Sequence, residues 1–76
     1  MGVTLELRLK RSERSLERAV SLAGRRGYEI VAVSASLSSD RRWLEVTLTV
    51  ESERRVESLV HQLEKLFEVD RVSVVG

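Results

Sequence analysis

The fold is decided at residues 23–36, where the sequence reads AGRRGYEIVAVSAS. Two glycines three positions apart bracket two arginines, and a tyrosine then opens a run of small and branched residues. Gly27 stands where a helix ends, because a glycine adopts the left-handed backbone that closes a helix without a Cβ clash. Gly24 is either a second terminator or a point where the helix closely approaches a sheet. The segment predicts a helix that ends at Gly27 and a strand that begins at Tyr28.

The residues before this junction predict a strand and then the helix. VTLELRLK, residues 3–10, alternates apolar and polar residues, as a strand with one buried face does. SERSLERAVSLAGRRG, residues 12–27, instead carries apolar residues at the spacing of an amphipathic helix. Ser12 or Ser15 can cap the first turn of this helix, because a serine oxygen accepts a free backbone N–H there.

The residues after the junction predict a strand, a turn, a strand, a helix and a final strand. In that order they are YEIVAVSASL (28–37), SSDRR (38–42), WLEVTLTVE (43–51), SERRVESLVHQLEKLFE (52–68) and VDRVSVV (69–75). Ser52 is placed to cap the second helix, whose apolar stripe extends to Phe67. The order β-α-β-β-α-β predicts an α+β, ferredoxin-like domain over residues 1–76, in which two helices cover one face of a four-stranded antiparallel sheet.

The second strand lacks a clean polar face. By simple alternation its two apolar sets are Val31, Val33 and Ala35 on one side and Ile30 and Ala32 on the other. A strand covered by helices on one face needs a single apolar set. We therefore expect this strand to be a sheet edge at which the chain forms a homodimer, with outward Trp43 on the same partner surface. The alternative is that alanine and serine are merely tolerated on an open face.

Composition excludes several classes of protein. The chain contains no cysteine, which excludes disulfide scaffolds, thiolate metal sites and the metallochaperones that share this fold, and which fits a cytoplasmic protein. The net charge is +1 with 33% charged residues, unlike the one-sided basic field of a nucleic-acid binder. No apolar run approaches the roughly 18 residues that span a bilayer. We expect neither a nucleic-acid partner nor a membrane.

No arrangement of residues indicates catalysis or a cofactor. His61, the single histidine, falls off the apolar stripe of the second helix. There is no metal-ligand spacing and no glycine-rich phosphate loop, although the basic segment KRSERS, residues 10–15, could hold an anion weakly. An RNA-recognition module shares the order of elements, but it stacks bases on aromatic residues that the central strands here do not supply. We expect a binding protein with no catalytic residue, metal or cofactor of its own.

Three motifs carry a resemblance to a known family. They are LERAVSLAGRRGYEIVAVSAS (16–36), LEVTLTV (44–50) and VESLVHQLEKLFEVDRVSVV (56–75). The chain resembles ACT domains, and among them the small regulatory subunits of acetolactate synthase (acetohydroxyacid synthase) of the isozyme II type. The resemblance implies a non-catalytic subunit that binds and activates the large, thiamine-diphosphate-dependent catalytic subunit in branched-chain amino-acid biosynthesis.

The resemblance also implies a place for an amino-acid effector. In the family it lies between the loop after the first strand and the start of the second strand of a partner subunit. The corresponding residues here are Arg11, Ser12, Glu13, Arg14, Ser15, Glu29 and Ile30. Arg14 stands where the family has a loop glycine and Glu29 where it has an asparagine. Because a carboxylate would then face the ligand's carboxylate, the resemblance favours activation over ordinary valine binding.

The residues that we expect to contact other subunits are Tyr28, Val31, Val33, Arg41, Arg42 and Trp43. Two other functions stay open at this point. One is a stand-alone ACT-type module that senses an amino acid. The other is a designed ferredoxin-like protein without activity, with which the absence of proline and the strict patterning agree.

Overall fold

The computed structural model describes residues 2–76 and has the element order β-α-β-β-α-β. The strands are β1 (Gly2–Lys10), β2 (Glu29–Leu37), β3 (Trp43–Glu51) and β4 (Val69–Val74), and the helices are α1 (Glu13–Arg25) and α2 (Val56–Glu64). All neighbouring strands are antiparallel, in the sheet order β2-β3-β1-β4. The predicted ferredoxin-like architecture is confirmed, with β2 and β4 as the two edges of the sheet.

The core lies between the sheet and the two helices. Apolar residues of β1 pair with apolar residues of β3, so that Leu5 lies beside Leu48 and Leu7 beside Val46, all of them buried. The residues between them, such as Thr4 and Arg8, point to the opposite, open face. Each buried leucine contributes on the order of 1.5–3 kcal/mol. This central layer therefore supplies much of the hydrophobic stabilisation.

α1 begins and ends where the sequence predicts. The hydroxyl of Ser12 caps the helix by accepting the backbone N–H of Arg14 at 3.2 Å. Arg26 is the C-cap of the helix, and Gly27 follows it with a φ of 91°. A Cβ on Gly27 would lie 2.9 Å from Nε of Arg54, in addition to the backbone strain of that φ. Gly27 is therefore the point at which the chain leaves the helix and enters the sheet.

Gly24 has neither of the two roles that the sequence suggested. It lies inside α1, one residue before the helix ends. A Cβ added at Gly24 would meet, within 4 Å, no described atom other than those of its chain neighbours and of the backbone of its own helix. It is therefore neither a terminator nor a point of close approach.

Replacing Gly24 by alanine is expected to raise the free energy of unfolding by about 0.5–1 kcal/mol, because alanine loses less backbone entropy in a helix. Urea denaturation of the variant and the parent chain measures this difference. Gly27→Ala serves as the opposite control and is expected to destabilise, since its φ of 91° is unfavourable for an L-residue. A loss of stability in Gly24→Ala would show that the added methyl group does meet a neighbour.

β2 contains a β-bulge that corrects the alternation expected from the sequence. Its register with β3 shifts between Ile30 and Ala32, which leaves Val31 as the extra residue. Ile30 and Val33 therefore both pair with buried residues of β3 and share the helix side of the sheet. The prediction that these two residues point to opposite faces is wrong. Beyond the bulge, the open face of β2 carries only small side chains, which are Ala32, Ser34 and Ser36.

α2 begins later than predicted and lacks the predicted cap. It starts at Val56, and no side chain caps its first turn. The hydroxyl of Ser52 instead accepts the backbone N–H of Arg54 and donates to the carbonyl of Gly27, both at 3.0 Å. Ser52 therefore ties the β3–α2 loop to the junction between α1 and β2.

α2 also ends earlier than predicted. Its last residue is Glu64, so Phe67 falls in the connection to β4 and is 79% exposed instead of lying on the buried stripe. The ring of Phe67 packs against Lys10, whose Nζ lies 4.5 Å from the ring centroid. No helix of the described residues is long and apolar enough to cross a membrane.

Candidate subunit interface

The large apolar side chains that remain exposed lie along the two edges of the sheet. On β2 they are Val31, Val33 and Leu37, with exposed fractions of 53%, 40% and 37%. Near β4 and in the segment that follows it they are Phe67, Val74 and Val75. Exposed apolar residues that cluster in this way, as opposed to being scattered singly, indicate surfaces that meet another polypeptide.

The β2 edge combines exposed apolar side chains with unpaired backbone groups. β2 pairs only with β3, so the N–H and C=O groups on its other side have no strand partner among the described residues. Val33 points to the helix side, yet it is 40% exposed because the helices do not cover the outer edge of the sheet. Edge strands of this kind pair readily with a strand of another chain.

The structure places Tyr28 in the core and not on the surface. Its side chain is 3% exposed, and its hydroxyl donates to the backbone carbonyl of Arg55 at 2.6 Å. This short bond joins the start of β2 to the start of α2. Tyr28 therefore has almost no surface to offer a partner, whereas Val31 and Val33 beside it do.

The turn between β2 and β3 is held by hydrogen bonds of its own residues. The carboxylate of Asp40 accepts the hydroxyl of Ser38 at 2.7 Å and the backbone N–H of Arg42 at 3.0 Å. These bonds, the Ser38 hydroxyl first, hold the pKa of Asp40 below its ordinary value of 3.8. Because the pKa of Asp40 is lower in the folded chain than in the unfolded one, these bonds stabilise the fold at pH values above the ordinary pKa. That stabilisation is lost as the pH falls through the lowered pKa of the folded chain.

Arg41 sits in this turn with an unfavourable backbone. Its φ of 63° lies in the left-handed region, which costs an L-residue roughly 1 kcal/mol. Its carbonyl accepts a hydrogen bond from Nη1 of Arg11 at 3.2 Å, which holds the turn against the loop after β1. The side chains of Arg41 and Arg42 are both exposed. The turn therefore presents two guanidinium groups beside the end of the β2 edge.

Trp43 lies on the open face, the side that the alternation predicts. It pairs with Lys10 at the end of β1 and is half-buried. The guanidinium of Arg8 lies 5.6 Å from its ring centroid and also forms an ion pair with Glu45 at 3.4 Å. Part of an aromatic side chain is thus presented at one end of the open face.

The open face carries a surface groove. Its volume is about 490 Å³, and its charged lining is made of Glu6, Arg8, Glu45 and Arg71. The rest of the lining is mostly small residues and hydroxyls. Among the described residues no cluster of three or more histidine or acidic side chains could hold a metal ion.

The residues proposed for effector binding fall into two separate groups. The first group surrounds the start of α1, where a shallow groove of about 340 Å³ is lined by Arg11, Ser12, Glu13 and Leu44. Arg14 is exposed beside it, but Ser15 is fully buried and its hydroxyl has no partner among the described residues. Ser15 therefore cannot contact a bound molecule in this arrangement.

The second group, Glu29 and Ile30, lies at the opposite end of the sheet. Glu29 pairs with Glu51 at the end of β3, whereas the loop after β1 starts beside Trp43 at the beginning of β3. One chain does not bring the two groups together.

The sequence and the fold together define the class of protein. The sequence model of the ACT domain matches residues 11–72, and the chain therefore belongs to the ACT-domain family. Within that family the chain is similar to the acetolactate synthase isozyme 2 small subunit of Escherichia coli (strain K12). The two are 33% identical over 60 residues, which cover 79% of this chain and 69% of that protein. The same subunit from Shigella flexneri matches to the same extent.

Two solved structures show the same fold. The small subunit of acetolactate synthase from Thermotoga maritima superposes with a TM-score of 0.88 and 18% identity, over 100% of this chain and 48% of that one. The ACT domain of GTP pyrophosphokinase from Chlorobium tepidum superposes with a TM-score of 0.81 and 9% identity, over 99% and 97% of the two chains. The resemblance stated from the sequence motifs is confirmed.

Proposed function

We propose that this chain is a regulatory subunit without catalytic residues, which binds the large catalytic subunit of an acetolactate synthase and raises its activity. The observation that carries the proposal is the 33% identity to an isozyme 2 small subunit over 79% of the chain. The ACT fold, which points to a regulatory module, agrees with it. Thiamine diphosphate would then be bound by the catalytic subunit and not by this chain.

We further propose that the chain acts as a homodimer joined along β2. The exposed edge and the apolar side chains of Val31, Val33 and Leu37 support this arrangement. Pairing of two β2 strands would join the two sheets into one continuous sheet and satisfy the free backbone groups of both edges. It would also leave Trp43 and the open face accessible for a catalytic subunit.

Activation needs no chemistry from this chain. A regulatory subunit raises activity when it binds the active arrangement of the catalytic subunit more tightly than the inactive one. A difference in binding free energy of about 1.4 kcal/mol shifts the ratio of the two arrangements tenfold. A few well-placed contacts suffice for that difference, and tryptophan and arginine are the residue types that most often provide them.

The test is a titration of the catalytic subunit from the same organism with this chain, followed by acetolactate formation. We expect a saturable rise in rate of about tenfold or more, with saturation at a fixed ratio of the two chains. Trp43→Ala is expected to shift the half-saturating concentration about tenfold upward, because it removes an aromatic contact. His61→Ala, on the exposed side of α2, is the matched control and should not shift it. A rate that does not change at any concentration of the chain contradicts the proposal.

A further inference from the structure

Both aromatic side chains that lie outside the core are found at the same end of the sheet. The chain contains one tryptophan, one tyrosine and one phenylalanine, and the tyrosine is buried. Lys10, at the end of β1, pairs with Trp43 of β3, and its backbone N–H bonds the carbonyl of Glu68 at 2.8 Å. This bond brings Phe67 alongside Lys10, whose Nζ lies 4.5 Å from the ring centroid. Trp43 and Phe67 thus flank Lys10, and we call these three residues with Arg8 the aromatic corner.

Phe67 contributes little to the fold of the isolated chain. It is 79% exposed, more than any other exposed large apolar side chain among the described residues. An aromatic ring is one of the largest apolar side chains and gains most when a partner covers it. Aromatic residues beside a cation are also the residue types that most often anchor protein interfaces. The position of Phe67 is therefore better suited to a partner than to the core.

Each ring of the aromatic corner is contacted by a cation of the same chain. The guanidinium of Arg8 lies 5.6 Å from the ring centroid of Trp43, as the ammonium of Lys10 lies against Phe67. Such contacts restrict two long, flexible side chains before a partner arrives, which lowers the entropy cost of binding. A cation that lies on a ring keeps further N–H donors for a carboxylate. The aromatic corner is therefore partly ordered for binding.

The cations at this end of the sheet lack acidic partners. Lys10 forms no ion pair among the described residues. The same is true of Arg41 and Arg42, which are exposed and precede Trp43 in the turn. Unpaired cations beside exposed rings complement a partner that offers carboxylates next to an apolar side chain.

The carboxylates at this end are engaged elsewhere or do not pair with these cations. Glu45 pairs with Arg8 at 3.4 Å, and Glu68 pairs with an arginine of α1 at 3.1 Å. The carboxylate of Asp40 accepts hydrogen bonds within its own turn. Asp70, which has no partner in the pairing of β4 with β1, forms no ion pair among the described residues. The positive charge of Lys10 and of the turn is therefore open to another molecule.

We infer that the aromatic corner is the contact surface for the catalytic subunit, and that it receives a segment of that subunit in which carboxylates lie next to an apolar side chain. This inference rests on the proposed function and specifies the chemistry of the partner. Trp43 and Phe67 cover the apolar side chain, while Lys10 and the arginines of the turn bind the carboxylates. The aromatic corner lies on β3, β1 and the connection to β4, so it is separate from the outer edge of β2.

A nucleic acid can also bind aromatic rings flanked by cations, but the charges of the open face disfavour it. Glu6 of β1 and Glu45 of β3 both line the groove on this face. A strand of phosphates that continued from the aromatic corner across the sheet would meet these two carboxylates. A protein segment is therefore the occupant that the observations favour.

Direct binding measurements with the catalytic subunit from the same organism test the inference. Isothermal titration calorimetry gives the dissociation constant of the parent chain and of each variant, and activation is assayed in parallel. Phe67→Ala is expected to raise the dissociation constant at least about tenfold, because an anchoring ring is lost. Lys10→Glu is expected to raise it at least about tenfold as well, since repulsion replaces attraction. Because Phe67 is 79% exposed, its alanine variant should unfold at nearly the same denaturant concentration as the parent chain.

The matched controls make the same kinds of change far from the aromatic corner. Val75→Ala truncates an apolar side chain that is 55% exposed beyond the other end of β4, and Arg25→Glu reverses a charge in the last turn of α1. Both should bind the catalytic subunit as the parent chain does. In 1 M salt, where the screening length is about 3 Å, the defect of Lys10→Glu should shrink. The defect of Phe67→Ala should remain, because covering an apolar ring is not screened by salt.

The inference alone is overturned if the parent chain binds and activates the catalytic subunit while Phe67→Ala or Lys10→Glu binds as tightly as the parent. The proposed function then stands, with its contact surface elsewhere. If Val75→Ala weakens binding and Phe67→Ala does not, the contact lies at the opposite end of β4. A parent chain that neither binds nor activates the catalytic subunit overturns the proposed function and the inference together.

Two measurements without the catalytic subunit test the other occupants. In sedimentation velocity Phe67→Ala should self-associate as the parent chain does, and weaker self-association would assign the aromatic corner to a second copy. In fluorescence anisotropy the parent chain should not bind a single-stranded oligouridylate at about 10 µM, which lies within the range of non-specific nucleic-acid affinities. Binding of the oligonucleotide that Phe67→Ala weakens would assign the aromatic corner to nucleic acid. Either assignment overturns the inference.

Discussion

Replacing Val33 by lysine is expected to convert the dimer into a monomer. Val33 lies at the middle of β2, at the centre of the proposed interface, and is 40% exposed in the isolated chain. In the dimer the two substituted side chains would be adjacent and partly buried, and an uncompensated buried charge costs about 3–5 kcal/mol. The dimer dissociation constant should therefore rise at least about 100-fold. Sedimentation velocity over a range of concentrations measures this change.

The fold of a single chain should tolerate the Val33→Lys substitution. A lysine on a partly exposed edge can extend its ammonium group into water while its methylene groups cover the sheet. Val74→Lys on the β4 edge is the matched control, because Val74 is 50% exposed and also belongs to an edge strand. It should leave the dimer intact. If Val74→Lys dissociates the dimer and Val33→Lys does not, the copies pair through β4 and not through β2.

The sequence identifies the central strands because each of them has one water-facing side. In β1 and β3 every second residue is apolar, and the structure pairs these residues in register, for example Leu5 with Leu48. This alternation does not hold in β2, because Val31 forms a β-bulge in the pairing with β3. The sequence does carry a trace of the bulge. The helix-side residues Ile30 and Val33 are three positions apart, and the intervals of two resume only after them.

The end of α2 could not be read from residue types. The sequence from 56 to 68 contains no glycine or proline, and its apolar residues keep helical spacing through Phe67. The helix nevertheless stops at Glu64, because tight hydrogen bonds replace the helical ones. The N–H of Leu66 bonds the carbonyl of Leu63 at 3.0 Å, and the N–H of Val69 bonds that of Leu66 at 3.1 Å. The chain then enters β4 at Val69 and pairs with β1, and this pairing is a tertiary contact that residue types do not reveal.

The candidate interface was predictable in its chemistry but not in its placement. Exposed apolar residues on β2 and arginines in the following turn are visible in the sequence. That Glu29 and Glu51 face each other, and that Arg41 has a left-handed backbone, follows only from strand register and turn geometry. Tyr28 shows the opposite difficulty. An aromatic residue at a strand start resembles an interface anchor until the structure shows its ring in the core and its hydroxyl bonded to a backbone carbonyl.

Replacing Tyr28 by alanine is expected to lower the free energy of unfolding by about 3–4 kcal/mol, the typical loss for a buried aromatic side chain. The residue is 3% exposed, and its hydroxyl reaches the carbonyl of Arg55 at 2.6 Å. A domain of this size has a total stability on the order of 4–11 kcal/mol, so the alanine variant should be close to unfolding at ambient temperature. Guanidinium denaturation of the variants measures the effect.

Tyr28→Phe separates the ring from the hydroxyl. It keeps the packing and removes one hydrogen bond, which leaves the Arg55 carbonyl without its partner and should cost about 1 kcal/mol. Both variants are best made in the Val33→Lys background, because dimer formation would otherwise make stability depend on concentration. If phenylalanine costs as much as alanine, the link between β2 and α2 depends on the hydrogen bond and not on packing of the ring. If phenylalanine costs nothing, the 2.6 Å contact does not stabilise the fold, and the ring alone joins the two elements.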